Sequence, residues 1–403
     1  MAKWSAQGVI EARQERHVLN NNIVFAAKKD GRVRVCNDCT PVNAVTEDYD
    51  WPLPRLQDLR FKITGSRWFT RLDLKDAFFR IRVPNEFRHY TAFTSRGVQY
   101  QFRRMPFGVK TGPAVFQQFM DTRLARHLVY VVVYIDDILI HAPTLAILRK
   151  YASRVRRDLL AAGCTINEDK SEYDKQQLLF AGLMIHADGT SPNKDQIDKL
   201  LLTPVPVGKQ AMQSALGLVS YLRDFIPLVS HFSSTLYPKK NSPPLEAAEV
   251  TKLWNSLLRH VASAVTSLRH WNDNADADLY CDASGHGIGV VLVQDNRITA
   301  VASRKLTPAE TRYSATDREH LALVYAAQKF RMLIHRWGAE TRVHSDHAAL
   351  LGRNVDIMTP RQVRWFQLTS QWIPRLRHVP GAINPADFFS RWAVGMNGGV
   401  EKI

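Results

Sequence analysis

The pattern of apolar and polar positions predicts a β-hairpin with two acidic residues at its turn. Residues 128–133 and 138–140 are runs of β-branched and aliphatic side chains, which are typical of strands, and Tyr134-Ile135-Asp136-Asp137 stands between them. Aspartate is a common turn residue, so an isolated pair would more often have only a structural role. Two carboxylates held between buried strands also suit the binding of a metal ion.

A second apolar strand that carries a carboxylate precedes the hairpin. Residues 69–79 read Phe-Thr-Arg-Leu-Asp-Leu-Lys-Asp-Ala-Phe-Phe, with Asp73 at the centre. Such a strand can lie beside the hairpin in one sheet, and Asp73, Asp136 and Asp137 would then converge. Mg²⁺ prefers oxygen ligands, and two such ions can activate an attacking hydroxyl and neutralise a leaving pyrophosphate. The three acids therefore predict a two-metal site.

Beyond residue 190 the apolar spacing changes from that of strands to that of helices. Residues 195–202 and 210–225 place apolar side chains at helical intervals, and Pro227 ends the second helix. One stripe of that helix consists of Met212, Leu216, Val219, Leu222 and Ile226. The sequence Asn-Ser-Pro-Pro at residues 241–244 then predicts a loop or a domain boundary.

A second series of strands begins near Trp271. Three short apolar runs predict an antiparallel meander: residues 279–284, 290–293 and 298–303. The first of these strands carries Asp282. A helix follows, with Thr316 as the predicted N-cap and Glu319 in its first turn.

Two more acids follow this helix at the ends of predicted elements. Residues 342–346 form a strand that ends in Asp346, and Pro385 opens a last helix that carries Asp387. Each acid has an ordinary explanation by itself. Glu319 suits a helix dipole, Asp346 could start a turn, and Asp387 could lie on a solvated face.

Composition indicates a chain with an acidic partner. The 403 residues have a formal net charge of +16 and 45% hydrophobic content, which is enough for two or three cored units and favours a polyanion. Much of the affinity for a nucleic acid should therefore depend on salt. No apolar run is long enough to span a bilayer, and the N-terminus lacks a signal-peptide pattern. We expect a soluble, cytoplasmic protein with no membrane partner.

The cysteines do not predict a disulfide framework. The chain has four of them, Cys36, Cys39, Cys164 and Cys281, which are few and scattered. Cys36 and Cys39 form a Cys-x-x-Cys sequence, but no second ligand pair lies nearby. Reduced cysteines on strands are the favoured interpretation, and a zinc site is the alternative.

The motif that contains Asp73 and the motif that contains Asp136 and Asp137 resemble those of reverse transcriptases, which carry Asp-x-x-Asp-Ala-aromatic-aromatic followed by Tyr-x-Asp-Asp. Residues 104–117 resemble the Met-Pro-Phe-Gly…Pro-Ala-x-Phe-Gln segment of gypsy-type (Metaviridae) LTR-retrotransposon polymerases. Residues 25–36 resemble their fingers hairpin, with Asp-Gly as the turn signal. Residues 216–227 resemble their thumb. The resemblance extends from about residue 8 to residue 391.

This resemblance implies roles for several residues near the first site. Lys28 or Lys29, together with Arg34, would contact the phosphates of the incoming nucleotide, although an exposed charged hairpin is the plain alternative. Phe78 would pack under the sugar and exclude a 2′-hydroxyl, so deoxynucleotides would be preferred. Gly182 matches the turn that grips the primer.

The later acids together resemble those of ribonuclease H. That fold gathers an Asp on its first strand, a Glu on its first helix, an Asp after a later strand and one more acid near the C-terminus. Asp282, Glu319, Asp346 and Asp387 match these places in order. Two Mg²⁺ ions bound there would activate a water against an RNA phosphate.

The resemblance predicts an α+β multidomain fold, a right-hand polymerase followed by an RNase H-like α/β domain. We place fingers and palm at residues 1–190, thumb and connector at 191–270, the RNase H domain at 271–395 and a tail at 396–403. Each active site would hold two Mg²⁺ ions, or Mn²⁺ in their place. Partners would be an RNA template, a DNA primer, an RNA–DNA hybrid and dNTPs, and a homodimer is one assembly left open.

The expected function is RNA-directed and DNA-directed DNA synthesis coupled to degradation of the RNA strand, with virus-like particles as one location. Two departures from the family pattern bear on it: the fingers sequence starts abruptly, and Thr40 stands where the family usually has Arg. Protease and integrase motifs are absent, so we expect one segment of a longer polyprotein, flanked by domains outside this chain. Alternatives are a truncated or domesticated remnant that binds nucleic acid without catalysis, and a pararetroviral polymerase.

Overall fold

The chain folds as two compact units, Met1–Ala181 and Gly182–Ile403. The computed structural model describes residues 1–15, 17–27, 33–54, 59–60, 62–226, 229–237, 246–265, 267–330, 341–347, 350, 358–370 and 375–391. The predicted domain boundaries at residues 190, 270 and 395 stay predictions, and the predicted tail lies outside the described residues. Among the described helices, none combines the length and the apolar character needed to cross a membrane.

The centre of the first unit is a mainly antiparallel sheet with the strand order β10-β4-β8-β7, to which β9 adds by pairing with β4. Its strands are β4 (Trp68–Lys75), β7 (Val131–Tyr134), β8 (Asp137–Ala142), β9 (Thr165–Ile166) and β10 (Glu172–Lys175). The predicted hairpin and its neighbouring strand are confirmed. The first hairpin strand begins later than predicted, because residues 128–130 form a turn in which the Tyr130 amide donates to the His127 carbonyl.

Two helices cover this sheet with apolar side chains. They are α3 (Gly112–Leu124) and α4 (Leu145–Ala161), which follow α1 (Ala2–Ala6) and α2 (Thr40–Val45) in the chain. Phe116 and Met120 of α3 and Leu148 of α4 are fully buried against strand residues such as Ile138. Burying each of these side chains contributes about 1.5–3 kcal/mol, so the sheet that carries the acids has a rigid support.

The rest of the first unit consists of a small sheet and a two-stranded ribbon. Strands β1 (Ile10–Ala12), β5 (Phe93–Ser95) and β6 (Val98–Phe102) form the sheet, β2 (Ile23–Ala27) and β3 (Val33–Asn37) form the ribbon, and β11 (Gln177–Phe180) ends the unit. The ribbon confirms the predicted hairpin, and its assignment to the fingers stays a prediction. Its turn, with Lys28 and Lys29, lies outside the described residues.

The second unit begins with strands and continues with helices. Its first elements are β12 (Leu183–His186), β13 (Gly189–Pro192), α5 (Lys194–Leu201), α6 (Lys209–Leu222), α7 (Val229–Leu236), α8 (Ala247–Ala264) and β14 (Leu268–Arg269). The predicted apolar stripe of α6 is buried in one core with Trp254 of α8. The helical spacing read from the sequence therefore identified a packing face correctly.

The second unit ends in a five-stranded sheet with the order β17-β16-β15-β18-β19. Its elements are β15 (Ala277–Ala283), β16 (Gly287–Gln294), β17 (Arg297–Lys305), α9 (Ala315–Lys329), β18 (Thr341–Ser345), α10 (Pro360–Thr369), β19 (Leu376–His378) and α11 (Pro385–Arg391). The predicted meander is confirmed as β15-β16-β17, which is antiparallel, whereas β18 runs parallel to β15.

The predicted N-cap of α9 was wrong. Ser314 caps the helix, and its hydroxyl accepts a hydrogen bond of 3.1 Å from the Asp317 amide. Thr316 lies inside the helix and shares a 2.8 Å hydrogen bond with His347 instead. Glu319 consequently lies further into the helix than predicted, where its side chain reaches the end of β15.

Two candidate carboxylate sites

The first candidate site lies where β4 meets the β7-β8 hairpin. Asp73 and Asp137 are directly paired across β4 and β8, and Asp136 lies in the two-residue turn between β7 and β8. The structure therefore places the three predicted acids at one edge of the sheet, and their role as metal ligands stays a prediction. Asp136 is exposed, whereas Asp73 and Asp137 are half-buried.

A loop after β9 holds Asp73 in place. The side-chain amide of Asn167 donates to Asp73 Oδ2 at 2.9 Å, and the Asn167 backbone amide donates to the Asp73 carbonyl at 2.8 Å. The Asp73 amide donates to the Ser171 hydroxyl at 3.1 Å. These contacts fix one face of the carboxylate and leave the acid at the edge of the sheet.

The electrostatics of this cluster favour a bound cation. Burial, together with the neighbouring charges of Asp136 and Asp73, raises the pKa of Asp137 to about 6 against the opposing effect of Arg71. Carboxylates gathered in this way repel one another, and a divalent cation removes that repulsion. The donor set, which is oxygen only, fits Mg²⁺.

A cavity of about 650 Å³ opens beside these acids. Asp73 and Asp136 line it together with Lys170 and Phe107, and Val35 of the ribbon contributes to its wall. Its volume lies within the range of pockets that bind small molecules. The cavity therefore has room for a nucleotide next to the carboxylates.

The residues predicted to bind the nucleotide are only partly described. Phe78 is half-buried, and its ring lies 5.3 Å from that of Phe107 and 5.6 Å from that of Phe116, between centroids. Phe78 thus packs against a residue that lines the cavity. Lys28, Lys29 and the side chain of Arg34 lie outside the described residues, and their roles stay predictions.

The turn that carries Asp136 has an unusual backbone. Ile135 has a φ of 57°, in the left-handed region that β-branched residues avoid. Its amide donates to Gln117 Oε1 of α3 at 2.8 Å. The sequence identified Gln117 only as the last residue of the Pro-Ala-x-Phe-Gln segment. A glutamine on the apolar face of a helix was the available signal, because a buried amide must find partners.

The second candidate site gathers acids from three parts of the fold. Asp282 of β15, Asp346 after β18 and Asp387 of α11 each place a carboxylate oxygen within 4.8 Å of the others. Since β15 and β18 are parallel, their carboxyl ends lie at the same edge of the sheet. Asp282 is buried, and the other two are half-buried. The structure thus brings together three of the four acids that the resemblance to ribonuclease H implied.

Glu319 lies beside this trio and contacts its neighbours. Its carboxylate accepts from the Ala283 amide at 3.0 Å and from the Ser345 hydroxyl at 3.4 Å. Burial, together with the charges of Asp282 and Asp346, raises the pKa of Glu319 to about 8. All four predicted acids are thus near one another, and the raised pKa of Glu319 favours its protonated form when no cation is bound.

Two residues of this site were missed by sequence reasoning. The Ser390 hydroxyl of α11 donates to Asp282 Oδ2 and so joins the helix that carries Asp387 to the strand that carries Asp282. A Cβ atom at Gly381 would come within 3.0 Å of Asp346 Oδ2. Both positions lie within six residues of Asp387 in the sequence, yet neither residue type by itself indicates an acidic neighbour.

Gly182, predicted to form a primer-gripping turn, does lie in a turn. Ala181 and Gly182 have φ values of 46° and 81°. The hydroxyl of Tyr221 and the side-chain amide of Gln196 occupy the place that a Cβ atom on Gly182 would need. Glycine is therefore required both by its backbone conformation and by this close approach.

The cysteines are free thiols. Burial raises the pKa of Cys39 to about 11, and its sulfur lies 3.6 Å from the Asn37 side-chain nitrogen. Among the residues that the structure describes, no cysteine belongs to a group of side chains that could together hold a metal ion. The structure therefore favours the interpretation of Cys39 as a core residue over the zinc alternative.

Comparison with known families divides the chain as its two sites do. Residues 26–185 match the family of reverse transcriptases (RNA-dependent DNA polymerases), and residues 272–372 match the RNase H-like domain found in reverse transcriptases. The first six of the seven acids fall inside these ranges. Asp387 lies beyond them, so its assignment rests on its position in the trio.

Similar sequences occur in transposon polyproteins. The Tf2-3 polyprotein of Schizosaccharomyces pombe is 33% identical over 387 residues, and the Tf2-7 polyprotein is 32% identical over the same length. Each match covers 92% of this chain but only 28% of the polyprotein. The chain therefore spans little more than a quarter of the length of these relatives.

Solved structures share the fold. The foamy viral protease-reverse transcriptase in complex with an RNA/DNA hybrid matches with a TM-score of 0.74 and 20% identity, covering all of this chain and 55% of that one. The dRH form in complex with double-stranded DNA matches with a TM-score of 0.76 and 21% identity, covering 94% and 67%.

These likenesses confirm the predicted fold class, a right-hand polymerase followed by an RNase H-like domain. They also agree with the placement of the first carboxylate cluster in the first unit and of the second cluster in the second. This chain contains a reverse transcriptase domain and, C-terminal to it, the RNase H-like domain found in reverse transcriptases.

Proposed function

We propose that this chain is a DNA polymerase that copies RNA, and also DNA, and that degrades the RNA strand of the resulting hybrid. The observation that carries the proposal is the presence of two separate carboxylate clusters, each within the domain whose chemistry requires one. The Tf2 relatives are transposon polyproteins, which supports a retroelement as the source of the template. The alternative of a remnant without catalysis gains no support, because the acids of both sites converge.

In DNA synthesis, Asp73, Asp136 and Asp137 would hold two Mg²⁺ ions, or Mn²⁺ in their place. When bound, such ions activate the primer 3′-hydroxyl and stabilise the leaving pyrophosphate. The protein supplies the geometry, since β4 and the β7-β8 hairpin present the acids at one edge of a buried sheet. Asn167 orients Asp73, and the cavity beside the acids admits the nucleotide.

Selection of the nucleotide would depend on residues around that cavity. Phe78, held by two aromatic neighbours, would meet the sugar and exclude a 2′-hydroxyl. Lys28 or Lys29 and Arg34 would contact the triphosphate. dNTPs are the substrates that this arrangement favours.

In RNA cleavage, Asp282, Glu319, Asp346 and Asp387 would hold the two metal ions. When bound, they activate a water for attack on the phosphate of the RNA strand. Ser390 orients Asp282, and the Ala283 amide orients Glu319. The raised pKa of Glu319 means that cation binding would displace a proton from this carboxyl group.

The finer assignment is a gypsy-type (Metaviridae) retrotransposon enzyme, cut from or still part of a polyprotein. The Tf2 similarity over nearly the whole chain supports it. We further propose nucleic-acid partners, namely an RNA template, a DNA primer and their hybrid. Complexes of the foamy viral enzyme with an RNA/DNA hybrid and with double-stranded DNA support this choice. Location in cytoplasmic virus-like particles and assembly as a homodimer are further proposals.

One assay tests both activities. A DNA primer is extended on a labelled RNA template, so that one gel reports synthesis and RNA cleavage. Asp136→Asn should abolish synthesis and spare cleavage, and Asp282→Asn should do the reverse. Asp295→Asn, the same change on an exposed hairpin turn with a positive φ, is the matched control and should retain both. If both active-site variants retained both activities, the assignment of two sites would be wrong.

A further inference from the structure

A chain of hydrogen bonds links the loop before β4 to the turn that carries Asp136. The indole Nε1 of Trp51 donates to Asp121 Oδ2 at 2.8 Å, and the Gln117 side-chain nitrogen donates to Asp121 Oδ1 at 2.9 Å. Gln117 Oε1 then accepts from the Ile135 amide at 2.8 Å. Gln117 is 1% exposed, so water cannot replace these partners.

The order of donors and acceptors along this series of hydrogen bonds allows only one orientation of the Gln117 side-chain amide. A carboxylate only accepts, and the indole N–H of Trp51 already occupies Asp121 Oδ2, so Asp121 Oδ1 also requires a donor. The amide nitrogen of Gln117 must therefore face Asp121, where it also lies 3.3 Å from the Val133 carbonyl. Its oxygen is left to face the Ile135 amide. The charge at position 121 thus determines which atom reaches the turn.

The turn needs this support because its backbone is strained. A β-branched residue at a φ of 57° is sterically strained and keeps that conformation only where surrounding contacts impose it. Ile135 immediately precedes Asp136, so a shift of its peptide unit would move that carboxylate. A misplacement of about 1 Å at a reacting centre can lower a rate roughly 100-fold.

We propose that Asp121, held by Trp51, is a positioning residue for DNA synthesis. It fixes the Gln117 amide, which in turn holds the Ile135 amide and the turn that presents Asp136. The proposal rests on the proposed polymerase function of the first unit. It predicts that the order of donors and acceptors matters, whereas a merely structural helix contact between positions 117 and 121 would depend only on size.

An exchange of the amide and the carboxylate tests this order. Gln117→Glu alone places two carboxylates in contact. Asp121→Asn alone makes the new side-chain NH₂ group face the N–H of either Trp51 or Gln117. Each single change should lower kcat for primer extension by roughly 10- to 100-fold, with little effect on KM. The double variant restores the pattern from Trp51 to Ile135, because the amide now at position 121 can accept from Trp51 and donate to the carboxylate now at position 117. That carboxylate loses the N–H that faced the Val133 carbonyl, so recovery is incomplete. The double variant should recover to within about tenfold of the original chain.

Gln118→Glu is the matched control. It introduces the same charge one position along α3 and should leave primer extension unchanged. RNA cleavage by the second unit serves as an internal check that each variant is folded and binds the duplex. A double variant no more active than the weaker single variant would overturn the proposal, as would an Asp121→Asn variant with unchanged kcat.

Hydrogen exchange of the Ile135 amide gives a second measurement that does not need activity. Loss of its hydrogen bond to Gln117 should speed exchange on the order of tenfold in each single variant, with recovery in the double variant. If the original chain failed to extend a primer, the proposed function would fail, while this measurement would still report on the hydrogen-bond chain. Equal exchange rates in all variants would contradict the positioning role itself.

Discussion

The strongest quantitative prediction concerns Glu319→Gln and the stability of the second unit. Glu319 is 6% exposed, and burial together with the charges of Asp282 and Asp346 raises its pKa from 4.5 to about 8. In the absence of metal, the folded chain therefore keeps a proton on this group that the unfolded chain releases near pH 4.5. Stability should fall as pH rises through the window between these two values.

The magnitude follows from the same two values. Each pH unit of difference corresponds to about 1.36 kcal/mol, so the full contribution between the two pKa values is roughly 5 kcal/mol. Entry of water around the ionised group would reduce it, and we expect about 2–4 kcal/mol. Glutamine cannot ionise but can still accept from the Ala283 amide. Glu319→Gln should therefore match the original chain at about pH 4.5 and exceed it in stability at about pH 8.

In the assay, both chains are unfolded with urea between about pH 4.5 and pH 9 in the presence of EDTA. Hydrogen exchange of the backbone amides of residues 277–283 is the readout. Added Mg²⁺ should stabilise the original chain at the alkaline end, because a bound cation offsets the charge of Glu319, and should stabilise the glutamine variant less. Parallel pH profiles for the two chains in EDTA would refute the reasoning, since they would mean that Glu319 titrates near its ordinary pKa in the folded state.

Three further predictions concern single contacts. Gly182→Ala should lower the free energy of unfolding by about 1–2 kcal/mol because Gly182 has a φ of 81°. Adding Tyr221→Phe should restore part of the loss, because it removes the hydroxyl that crowds the new methyl group. An unchanged urea midpoint for Gly182→Ala would contradict this. Phe78→Ala should raise ribonucleotide incorporation roughly tenfold or more in single-nucleotide extension, and an unchanged ratio of ribo- to deoxynucleotide use would exclude Phe78 as the sugar-sensing residue. Ser390→Ala should slow RNA cleavage about tenfold by releasing Asp282, with primer extension unaffected, and equal loss of both activities would indicate misfolding instead.

The sequence predicted the features that depend on local periodicity and residue type. Strands on both sides of Asp136 and Asp137 follow from alternating β-branched residues, and the stripe on α6 follows from helical spacing. Acids at the ends of predicted strands could be assigned to one edge of a sheet, because strand ends are where side chains from distant segments meet. The convergence of the first cluster could therefore be predicted from the strands that carry its acids, whereas that of the second was implied by the resemblance to ribonuclease H.

Other parts of the sites could not be predicted, because they depend on contacts between segments far apart in the chain. Ser314 and Thr316 are both good N-caps by type, and only the contact of Thr316 with His347 separates them. The turn that Gln117 holds and the acid that Ser390 holds lie in other elements, so the sequence shows a polar residue on a helix but not the group that it serves.

The way the second cluster is assembled has a consequence for the order in which the two clusters form during protein synthesis. Ser390 and Asp282 are joined although they lie 108 positions apart, and Asp387 belongs to the same late helix. The acids of the first cluster and the residues that orient Asp73, by contrast, all lie before the end of β10 at Lys175. During synthesis on a ribosome, every side chain of the first cluster would therefore emerge well before Asp387 and Ser390, so the second cluster is the later of the two to be assembled.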